Sequence, residues 1–579
     1  MATFASAWRG TPRAQWARRM AAVPAFAWAL GLYLAVSAVA IGHGALANPS
    51  GICACSASGN DPSAAMWSLS WWPYALLHGL DPFYTHAVWA PHGVSVAAAA
   101  TIPAAAIALW PISAAFGPLV AYNVLAIASP VLCGLTAFLL CRRVAGRTGP
   151  AFVGGMLFAF GGYQLSQLQS HLNLTLVFML PLLALLVVRR FAGELRGRRF
   201  VVLAALALIV QALLSTEILF DAGLVGVLAA IVAYVAFDGP QRSRVTRVAL
   251  ETAAAGALAA LVLLPYLIAA LSQPAVARPG SLYGLDALNL VIPTPVSWLG
   301  GELFHRVSAT FEAGNGSEAD GYLGLPLLII ATWFTVSWWR RRREVRVLGV
   351  LLVLVVLLAL GSPLRIAGAS VVPLPWRSLQ ALPLFDNIVA SRLMVFADLI
   401  LAVIAAMWLA ERSPRPALRF LVAALSVASV IPNVAGDLWT SRPPNPRLFA
   451  SGIERRYLGR GENVLVIPVA WLGDSMLWQA ESGFSFSMPI GYLSSASPTS
   501  TVASTGISWI FEGSIAAGRI PEQYAGAIAA YLHRHRVLYI LIAPAYLPKW
   551  SMVLPRIAVR ATRAGGMLLY TLATGVQRS

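Results

Sequence analysis

Long apolar runs separated by short arginine clusters are the feature that most constrains the fold of this 579-residue chain. Hydrophobic residues make up 58% of the sequence and charged residues only 11%, where a soluble protein would carry about 25% charged residues. A lipid bilayer offers no water to bond the backbone, so apolar runs of this kind cross it as helices. The sequence therefore predicts a polytopic α-helical membrane protein.

The arginine clusters predict topology. The formal net charge is +18, from 41 Lys and Arg against 23 Asp and Glu. A basic chain can bind nucleic acid, but here the arginines lie in short clusters between apolar runs, which is the positive-inside pattern. They place the amino terminus, residues 1–23, in the cytoplasm and give no indication of a nucleic-acid partner.

About eleven spans follow when every basic cluster is placed inside. The first, 24–46, would rise about 35 Å, enough for a hydrocarbon core of roughly 30 Å. Residues 94–116 are expected not to cross, because Pro103 and Pro111 interrupt them and a crossing would invert every later cluster. The predicted spans are 24–46, 118–141, 150–163, 172–188, 200–215, 218–237, 249–271, 321–339, 347–361, 393–410 and 419–435.

The predicted domains follow from this count. A transmembrane domain, 24–435, carries outer loops at 47–117, 272–320 and 362–392. The expected location of the protein is the bacterial cytoplasmic (inner) membrane, and an odd number of spans places residues 436–579 on its extracytoplasmic side. The carboxyl-terminal segment reads as a small α/β domain, with buried strands at 463–469, 537–543 and 567–572 and an amphipathic helix at 521–536.

Several common motifs are missing from the sequence. No Walker motif, GxGxxG or GxSxG occurs, which argues against nucleotide hydrolysis and against hydrolases of that type. The four cysteines have no zinc spacing. Cys53 and Cys55 are one residue apart, a strained geometry for a disulfide, and they are expected to be incidental.

A polar stretch between two apolar ones, Asn60 to Gly93, is the first candidate for chemistry. Asp61 lies at the predicted outer face, and a carboxylate there can take a proton from an attacking hydroxyl. The alternative is that Asp61, followed by Pro62, caps an interfacial helix. Asp81 before Pro82 has the form of a turn residue.

Charges near membrane depth are the second candidate group. Glu217 lies directly before a predicted span and Asp221 just inside it, where charge is costly and usually functional. The alternative for these two residues is a polar pair buffered by the membrane interface. Arg377 and Arg392 lie on the outer side, against the positive-inside bias, and an arginine fork suits a lipid phosphate. The alternatives for Arg392 are snorkelling to the headgroups or an ion pair with Asp386.

Further candidates for substrate binding lie in the same outer segments. They are Asp81, His171, Glu217, Glu318, Asp320, Trp72, Tyr74 and Trp89. Indole and phenol faces suit sugar rings, although anchoring at the membrane interface is an equally simple role for them. Glu318 and Asp320, with Asp61, are the residues available for a divalent cation such as Mg or Mn, and the histidines show no ligand spacing.

These features together resemble the GT-C superfamily of integral-membrane glycosyltransferases, which use polyprenyl-phosphate sugars. The resemblance covers roughly residues 20–435. It rests on Asp61 after the first span, the helix that follows, the turns Gly79-Leu-Asp-Pro-Phe83 and Trp89-Ala-Pro-His-Gly93, and the loop ending in Glu318-Ala-Asp-Gly-Tyr-Leu-Gly324. The chain looks closest to the YfhO-like bacterial membrane proteins. Many relatives have paired acids in the first loop, where here Asn60 precedes Asp61.

The resemblance implies transfer of a sugar, with inversion, from a polyprenyl-phosphate carrier to a glycan, lipid or protein acceptor at the outer face. Asp61 would be the general base, and Arg377 or Arg392 would stabilise the leaving phosphate. Two other classes remain open. One is a lipid-linked-sugar flippase or transporter, which would share Glu217 and Asp221, and the other is a non-catalytic envelope-assembly protein.

Overall fold

The chain folds into two units, each built from separated segments of the sequence. The structure, a computed structural model, describes residues 22–272, 284–311, 315–380, 382, 385, 388–434, 438–450, 452–493, 505–515 and 518–572. The first unit holds the described residues of Met1–His43, Ala126–Val262 and Ala277–Trp439. The second holds those of Gly44–Leu125, Leu263–Val276 and Thr440–Ser579. The predicted cytoplasmic segment 1–23 lies almost wholly outside the described residues.

The first unit is a bundle of apolar helices. The helices are Ala22–Ala40, Pro118–Ala145 (from Ala126 on), Thr148–Ala159, Gly162–Leu168, Leu172–Thr175, Met179–Phe191, Gly197–Ala212, Thr216–Ala236, Gly239–Val262, His305–Ser308, Leu325–Trp338, Arg343–Ala359, Trp376–Leu379, Met394–Ala410 and Pro416–Ser429. Short 3-10 turns lie at Ala287–Leu290, Trp298–Gly300, Gly316–Glu318 and Ala390–Leu393, and a hairpin pairs Leu364–Ile366 with Ala369–Val372.

The helix Met394–Ala410 is the core of this bundle. It is buried from Met394 to Trp408 and packs against Thr148–Ala159, Arg343–Ala359 and Leu325–Trp338. Gly154 allows one of these contacts, because a Cβ there would lie 2.5 Å from Cys141 Sγ and 3.0 Å from the carbonyl of Ala402. Small residues at such a crossing let helices approach closely in a membrane.

Five described helices are long and apolar enough to cross a membrane. They are Pro118–Ala145, Leu172–Phe191, Thr216–Ala236, Gly239–Val262 and Ala390–Ala410, of which the second and the last each combine two consecutive helical elements. Shorter apolar helices lie at Pro24–Ala40, Thr148–Ala159, Leu325–Trp338 and Pro416–Ser429. The membrane class of the protein is therefore supported, while the count of eleven spans stays a prediction. The segment 94–116 holds only a two-residue strand and the short helices Pro103–Ala108 and Trp110–Phe116, as expected from its prolines.

The second unit contains a four-stranded sheet. Asn463–Ile467 pairs in parallel with Val537–Ile542, which pairs antiparallel with Met567–Leu572, and Ala558–Ala564 forms the edge. The other elements are the helices His43–Ala47, Asp61–Leu77, Pro103–Ala108, Trp110–Phe116, Leu264–Leu271, Arg447–Ala450, Ser475–Glu481, Thr505–Glu512, Ala525–Arg534, Leu547–Trp550 and Leu554–Ile557, the 3-10 turns Ile453–Arg456, Glu522–Tyr524 and Pro544–Tyr546, and the strand pair Tyr84–Thr85 and Val94–Ser95.

The first predicted outer loop packs with the carboxyl-terminal region inside this unit. Trp67 Nε1 donates to Gln479 Oε1 at 2.7 Å, and the backbone N–H of Leu477 donates to Ser63 Oγ at 2.9 Å. The helix Asp61–Leu77 thus has one face fixed against Ser475–Glu481. The predicted division at residue 436 lies close to the change of unit after Trp439, and the predicted domains 24–435 and 436–579 stay predictions.

Cys53 and Cys55 form a disulfide. The expectation that they are incidental was wrong. Their Cα atoms are 5.3 Å apart, within the range that a disulfide bridges, and the backbone of Cys53 is bonded to that of Ser441 in the same unit. Disulfides persist in oxidising compartments, which agrees with the predicted outer position of this loop.

Candidate functional site

The first candidate site is a buried ionic cluster centred on Arg392. The Arg392 Nη1 atom donates to both oxygens of Glu217, at 2.6 and 2.7 Å. Its Nε donates to Glu318 Oε2 at 3.2 Å, and its Nη2 donates to the other oxygen of Glu318. Arg392 is 7% exposed and Glu318 2% exposed. A buried guanidinium is thus held between two carboxylates.

Each member of this cluster is placed at the end of an element. Arg392 lies on the 3-10 turn Ala390–Leu393 that leads into the buried helix. Glu217 lies in the first turn of Thr216–Ala236, which Ser215 caps by accepting from the backbone N–H of Ile218. Glu318 ends the turn Gly316–Glu318. The cluster therefore ties three elements of the first unit together.

This geometry bears on the predicted phosphate role of Arg392. All three nitrogens of its guanidinium already donate to carboxylates, so a lipid phosphate would have to replace one of them. The ion pair with Asp386 that the sequence suggested lies outside the described residues. The phosphate role of Arg392 stays a prediction, and the contacts favour a structural role in positioning Glu217 and Glu318.

A second layer of hydrogen bonds extends from Glu318. His171 Nδ1 lies 2.7 Å from Gln167 Oε1 and 3.7 Å from Glu318 Oε1. Because an amide oxygen only accepts, Nδ1 carries the proton. Gln167 Nε2 in turn donates to Asp320 Oδ2 at 3.1 Å. Gln167 was not among the predicted residues, although it lies in a polar run, 164–171, between two predicted spans.

The two acids of this loop have different electrostatic environments. Burial, and then the nearby charge of Glu318, raises the pKa of Asp320 to about 8. Burial also opposes ionisation of Glu318, but Arg392 and His171 hold its pKa below the ordinary value. Near neutral pH the cluster therefore contains a charged Glu318 beside a largely protonated Asp320.

The raised pKa of Asp320 predicts a pH-dependent stability. Between about pH 4 and pH 8 the folded protein keeps a proton that the unfolded chain loses, so rising pH favours unfolding. The contribution is complete below about pH 4 and is lost as pH rises through about 8. We expect the stability advantage of the wild type over Asp320→Asn to shrink from pH 5 to pH 8, measured as melting temperature in detergent. The exposed acid Glu302, changed to Gln, is the control, and an unchanged difference across this range would contradict the assignment.

Two further acids are buried in spanning helices near this cluster. Asp221 follows Glu217 by one helical turn, is fully buried, and neither of its oxygens has a hydrogen-bond partner among the described residues. Asp398, which sequence reasoning missed, accepts from the backbone N–H of Tyr163 at 3.3 Å. The available signal for Asp398 was that it is a single acidic residue within an apolar run.

Asp61 belongs to the second unit and begins the helix Asp61–Leu77. The residue at the cap position is Asn60 and Asp61 is the first residue of the helix, so Asp61 is not the cap residue that the alternative proposed. Tyr492 donates its hydroxyl to Asp61 Oδ2 at 3.0 Å. The Tyr492 ring packs edge-on against Trp471 with ring centres 4.5 Å apart. A half-exposed carboxylate is therefore held in one orientation.

The remaining candidates of this loop have separate positions. Asp81 is exposed and accepts from the backbone N–H of Phe83 at 2.8 Å, which confirms the turn interpretation. Trp72 and Trp89 are each 5% exposed and pack in the core. Tyr74 is half-buried, with its ring 4.1 Å from His78 and 4.7 Å from Phe484. Of the three predicted aromatic residues, Tyr74 alone presents a partly accessible ring.

Arg377 lines a cavity of 430 Å³ in the first unit. The cavity wall combines Ser362, Ser370 and Gln380 with the apolar residues Pro363, Val371, Val372 and Pro373. Arg377 is exposed, and its guanidinium makes no ion pair with any described residue. The Nε2 atom of Gln380 likewise has no partner in the described part of the chain. Cationic and amide donors next to apolar walls suit an amphiphilic anion.

The residues predicted for a divalent cation are not gathered in one place. Glu318 gives both oxygens to Arg392, Asp320 bonds Gln167, and Asp61 belongs to the other unit. Within the described ranges no three His, Cys, Asp or Glu side chains form a group suited to a metal ion. A divalent cation stays a prediction.

Solved membrane glycosyltransferases share this fold. The structure is similar to the arabinofuranosyltransferase AftD from mycobacteria, with TM-score 0.59 and 14% identity over 95% of this chain and 40% of AftD. It is also similar to the oligosaccharyltransferase of Archaeoglobus fulgidus, with TM-score 0.50 and 12% identity over 95% of this chain and 74% of that one. The predicted GT-C resemblance is thus confirmed at the level of the fold, and the chain spans about two fifths of the length of AftD.

Comparison of the amino-acid sequence with those of curated proteins finds no match. One family model matches, over residues 28–431, and it covers the predicted transmembrane domain. The chain therefore belongs to the family described as "Domain of unknown function (DUF6311)".

Proposed function

We propose that this protein is a membrane glycosyltransferase that moves a sugar from a polyprenyl-phosphate carrier to an acceptor at the outer face, with inversion. The GT-C fold supports the class of membrane glycosyltransferases, since AftD is an arabinofuranosyltransferase and the similar Archaeoglobus fulgidus protein is an oligosaccharyltransferase. A fold alone does not fix an activity. The specific reaction depends on the side chains.

The observation that carries the proposal is the oriented carboxylate of Asp61. It is half-exposed, does not cap its helix, and is held by the Tyr492 hydroxyl at 3.0 Å. In the proposed reaction Asp61 takes the proton of the acceptor hydroxyl as the oxygen attacks the anomeric carbon. The bond from that carbon to the phosphate oxygen breaks, and its electron pair leaves with the polyprenyl phosphate.

We assign the phosphate of the carrier to Arg377. Its guanidinium makes no ion pair with a described residue, and it lines a 430 Å³ cavity with apolar walls together with Gln380, whose Nε2 atom has no partner among the described residues. The fork suits the phosphate group of a bound carrier. Arg392 has the other role, because it holds Glu217 and Glu318 in place.

Arg377→Gln is expected to lower kcat/KM for the donor by roughly ten- to hundredfold, the effect of one lost hydrogen bond between charged groups. Arg306→Gln is the matched control, because Arg306 is also an exposed arginine of a predicted outer loop. Initial rates at varied donor concentration give the measurement. Equal kcat/KM in wild type and Arg377→Gln would contradict the phosphate assignment.

The function is tested with purified protein in nanodiscs and a panel of polyprenyl-phosphate sugars. Release of polyprenyl phosphate that depends on one donor would support the transferase. Failure of every donor to bind would contradict it. Saturable binding of a donor without release of polyprenyl phosphate would call for a panel of acceptors, followed by a transport assay in proteoliposomes.

Buried Asp221 favours a second candidate, a lipid-linked-sugar flippase. Its carboxylate has no hydrogen-bond partner in the part of the chain that the structure describes. A carboxylate buried in a spanning helix is costly and marks transport pathways in many membrane proteins. Proteoliposomes with a fluorescent polyprenyl-phosphate sugar distinguish the two functions. Transbilayer movement that is lost in Asp221→Asn and kept in Asp61→Asn would favour the flippase.

A further inference from the structure

Five exposed arginines collect at one end of the four-stranded sheet in the second unit. Asn463 and Val537 begin two parallel strands side by side, and the strand Ala558–Ala564 begins at the same end, because Arg560 pairs with Thr571 and Thr571 with Tyr539. The residues that precede or begin these strands therefore lie at the same end of the sheet. They include Arg456, Arg460, Arg534, Arg536 and Arg560, here called the arginine end.

The arginine end keeps an excess of positive charge within the described residues. None of its five guanidinium groups has an acidic partner within 4 Å in the part of the chain that the structure describes. The nearby carboxylate of Glu462 instead accepts from the backbone N–H of Gly459 at 2.7 Å. Burial lowers the pKa of His535, so this histidine adds no charge at neutral pH. Five like charges repel one another, and an anionic partner would relieve that repulsion.

An aromatic surface adjoins the arginine end. The backbone N–H of Gly461 donates to the carbonyl of Ser485 at 2.9 Å, which places Phe484 beside this end of the sheet. The Phe484 ring lies 4.7 Å from Tyr74, whose ring lies 4.1 Å from His78. These three rings are half-buried or exposed. Arginine forks beside accessible rings are a combination that suits a sugar chain with carboxylate or phosphate groups.

The distance from Asp61 indicates the size of such a ligand. Tyr74 follows Asp61 by thirteen residues on one helix, which corresponds to about 20 Å along its axis. A single sugar unit cannot contact both. A ligand that reaches from Asp61 to the aromatic surface and the arginine end has to be an extended chain.

We infer that the acceptor of the proposed transferase is an extended anionic glycan, bound along Tyr74 and Phe484 with its acidic groups on the arginine end. The identification of this glycan as the acceptor rests on the proposed function. Binding of the glycan needs no turnover, so the binding proposal and the proposed transferase can fail separately. Guanidinium–anion contacts at an exposed surface weaken with salt, which gives the interaction a measurable signature.

The test measures binding of polygalacturonate to the full-length protein in nanodiscs of neutral lipid, without donor. Neutral dextran of equal length and nanodisc-free vesicles of phosphatidylglycerol are the comparison ligands. We expect Arg460→Gln/Arg534→Gln to bind polygalacturonate about tenfold more weakly. The control Arg519→Gln/Arg563→Gln removes the same charge from exposed positions outside the arginine end and should bind as wild type does.

Binding that falls with salt, depends on chain length and is lost in the first double variant alone would support the inference. Equal loss in both variants, equal binding of dextran, or a preference for phosphatidylglycerol vesicles over polygalacturonate would overturn it. If polygalacturonate binds as expected while no donor binds, the proposed transferase fails and the anionic-glycan surface remains.

Discussion

Asp61→Asn is expected to lower sugar transfer by about 10²–10⁴-fold without unfolding the protein. Asparagine has the shape of aspartate and can still accept the Tyr492 hydroxyl, so the start of the helix Asp61–Leu77 is preserved. It cannot take the proton of the acceptor. The measurement is the rate of polyprenyl phosphate release at saturating donor and acceptor, together with the melting temperature of both proteins.

Asp81→Asn is the matched control for this variant. Asp81 is an exposed acid of the same loop, and its carboxylate serves a turn by accepting from the backbone N–H of Phe83. Asparagine serves that turn equally well, so transfer should stay within about twofold of wild type. Turnover of Asp61→Asn at the wild-type rate would remove Asp61 from the mechanism. A similar loss in both variants would indicate damage to the loop.

Much of the helical framework could be predicted from apolar runs, because each run buries against other helices or lipid. Three strands of the sheet were found for the same reason, at Asn463–Ile467, Val537–Ile542 and Met567–Leu572. The fourth, Ala558–Ala564, was missed. It is an edge strand that carries the exposed residues Arg560 and Arg563, and charged edge strands have no apolar run to reveal them.

The members of the candidate site could be identified one by one but not connected. Glu217 and Arg392 stand out because charge near membrane depth is costly, and Glu318 stands out because it forms a pair of acids with Asp320. Their pairing joins residues 175 and 74 positions apart, and it depends on helix packing that no local pattern encodes. Tyr492 lies 431 positions from Asp61, in a segment without any distinguishing motif, so sequence reasoning had no signal for it.

Arg392→Gln is expected to destabilise the protein by about 3–5 kcal/mol, the usual effect of removing one partner of a buried ion pair. Glu318 is 2% exposed and would keep its charge without a guanidinium beside it. Glu217 would lose both of its contacts with Nη1. The measurement is the unfolding free energy in mixed detergent micelles, with Arg377→Gln as the exposed arginine control that should unfold as wild type does.

A charge-free version of the cluster separates the structural role of Arg392 from a phosphate role. In Arg392→Gln/Glu217→Gln/Glu318→Gln no buried charge of this group remains, and neutral amides can bond one another, so most of the lost stability should return. If Arg392→Gln instead unfolds like wild type and only loses affinity for the polyprenyl-phosphate donor, the two glutamates do not need the guanidinium. Arg392 would then be the phosphate ligand that the sequence predicted, and the ion pairs would describe the resting site before the donor binds.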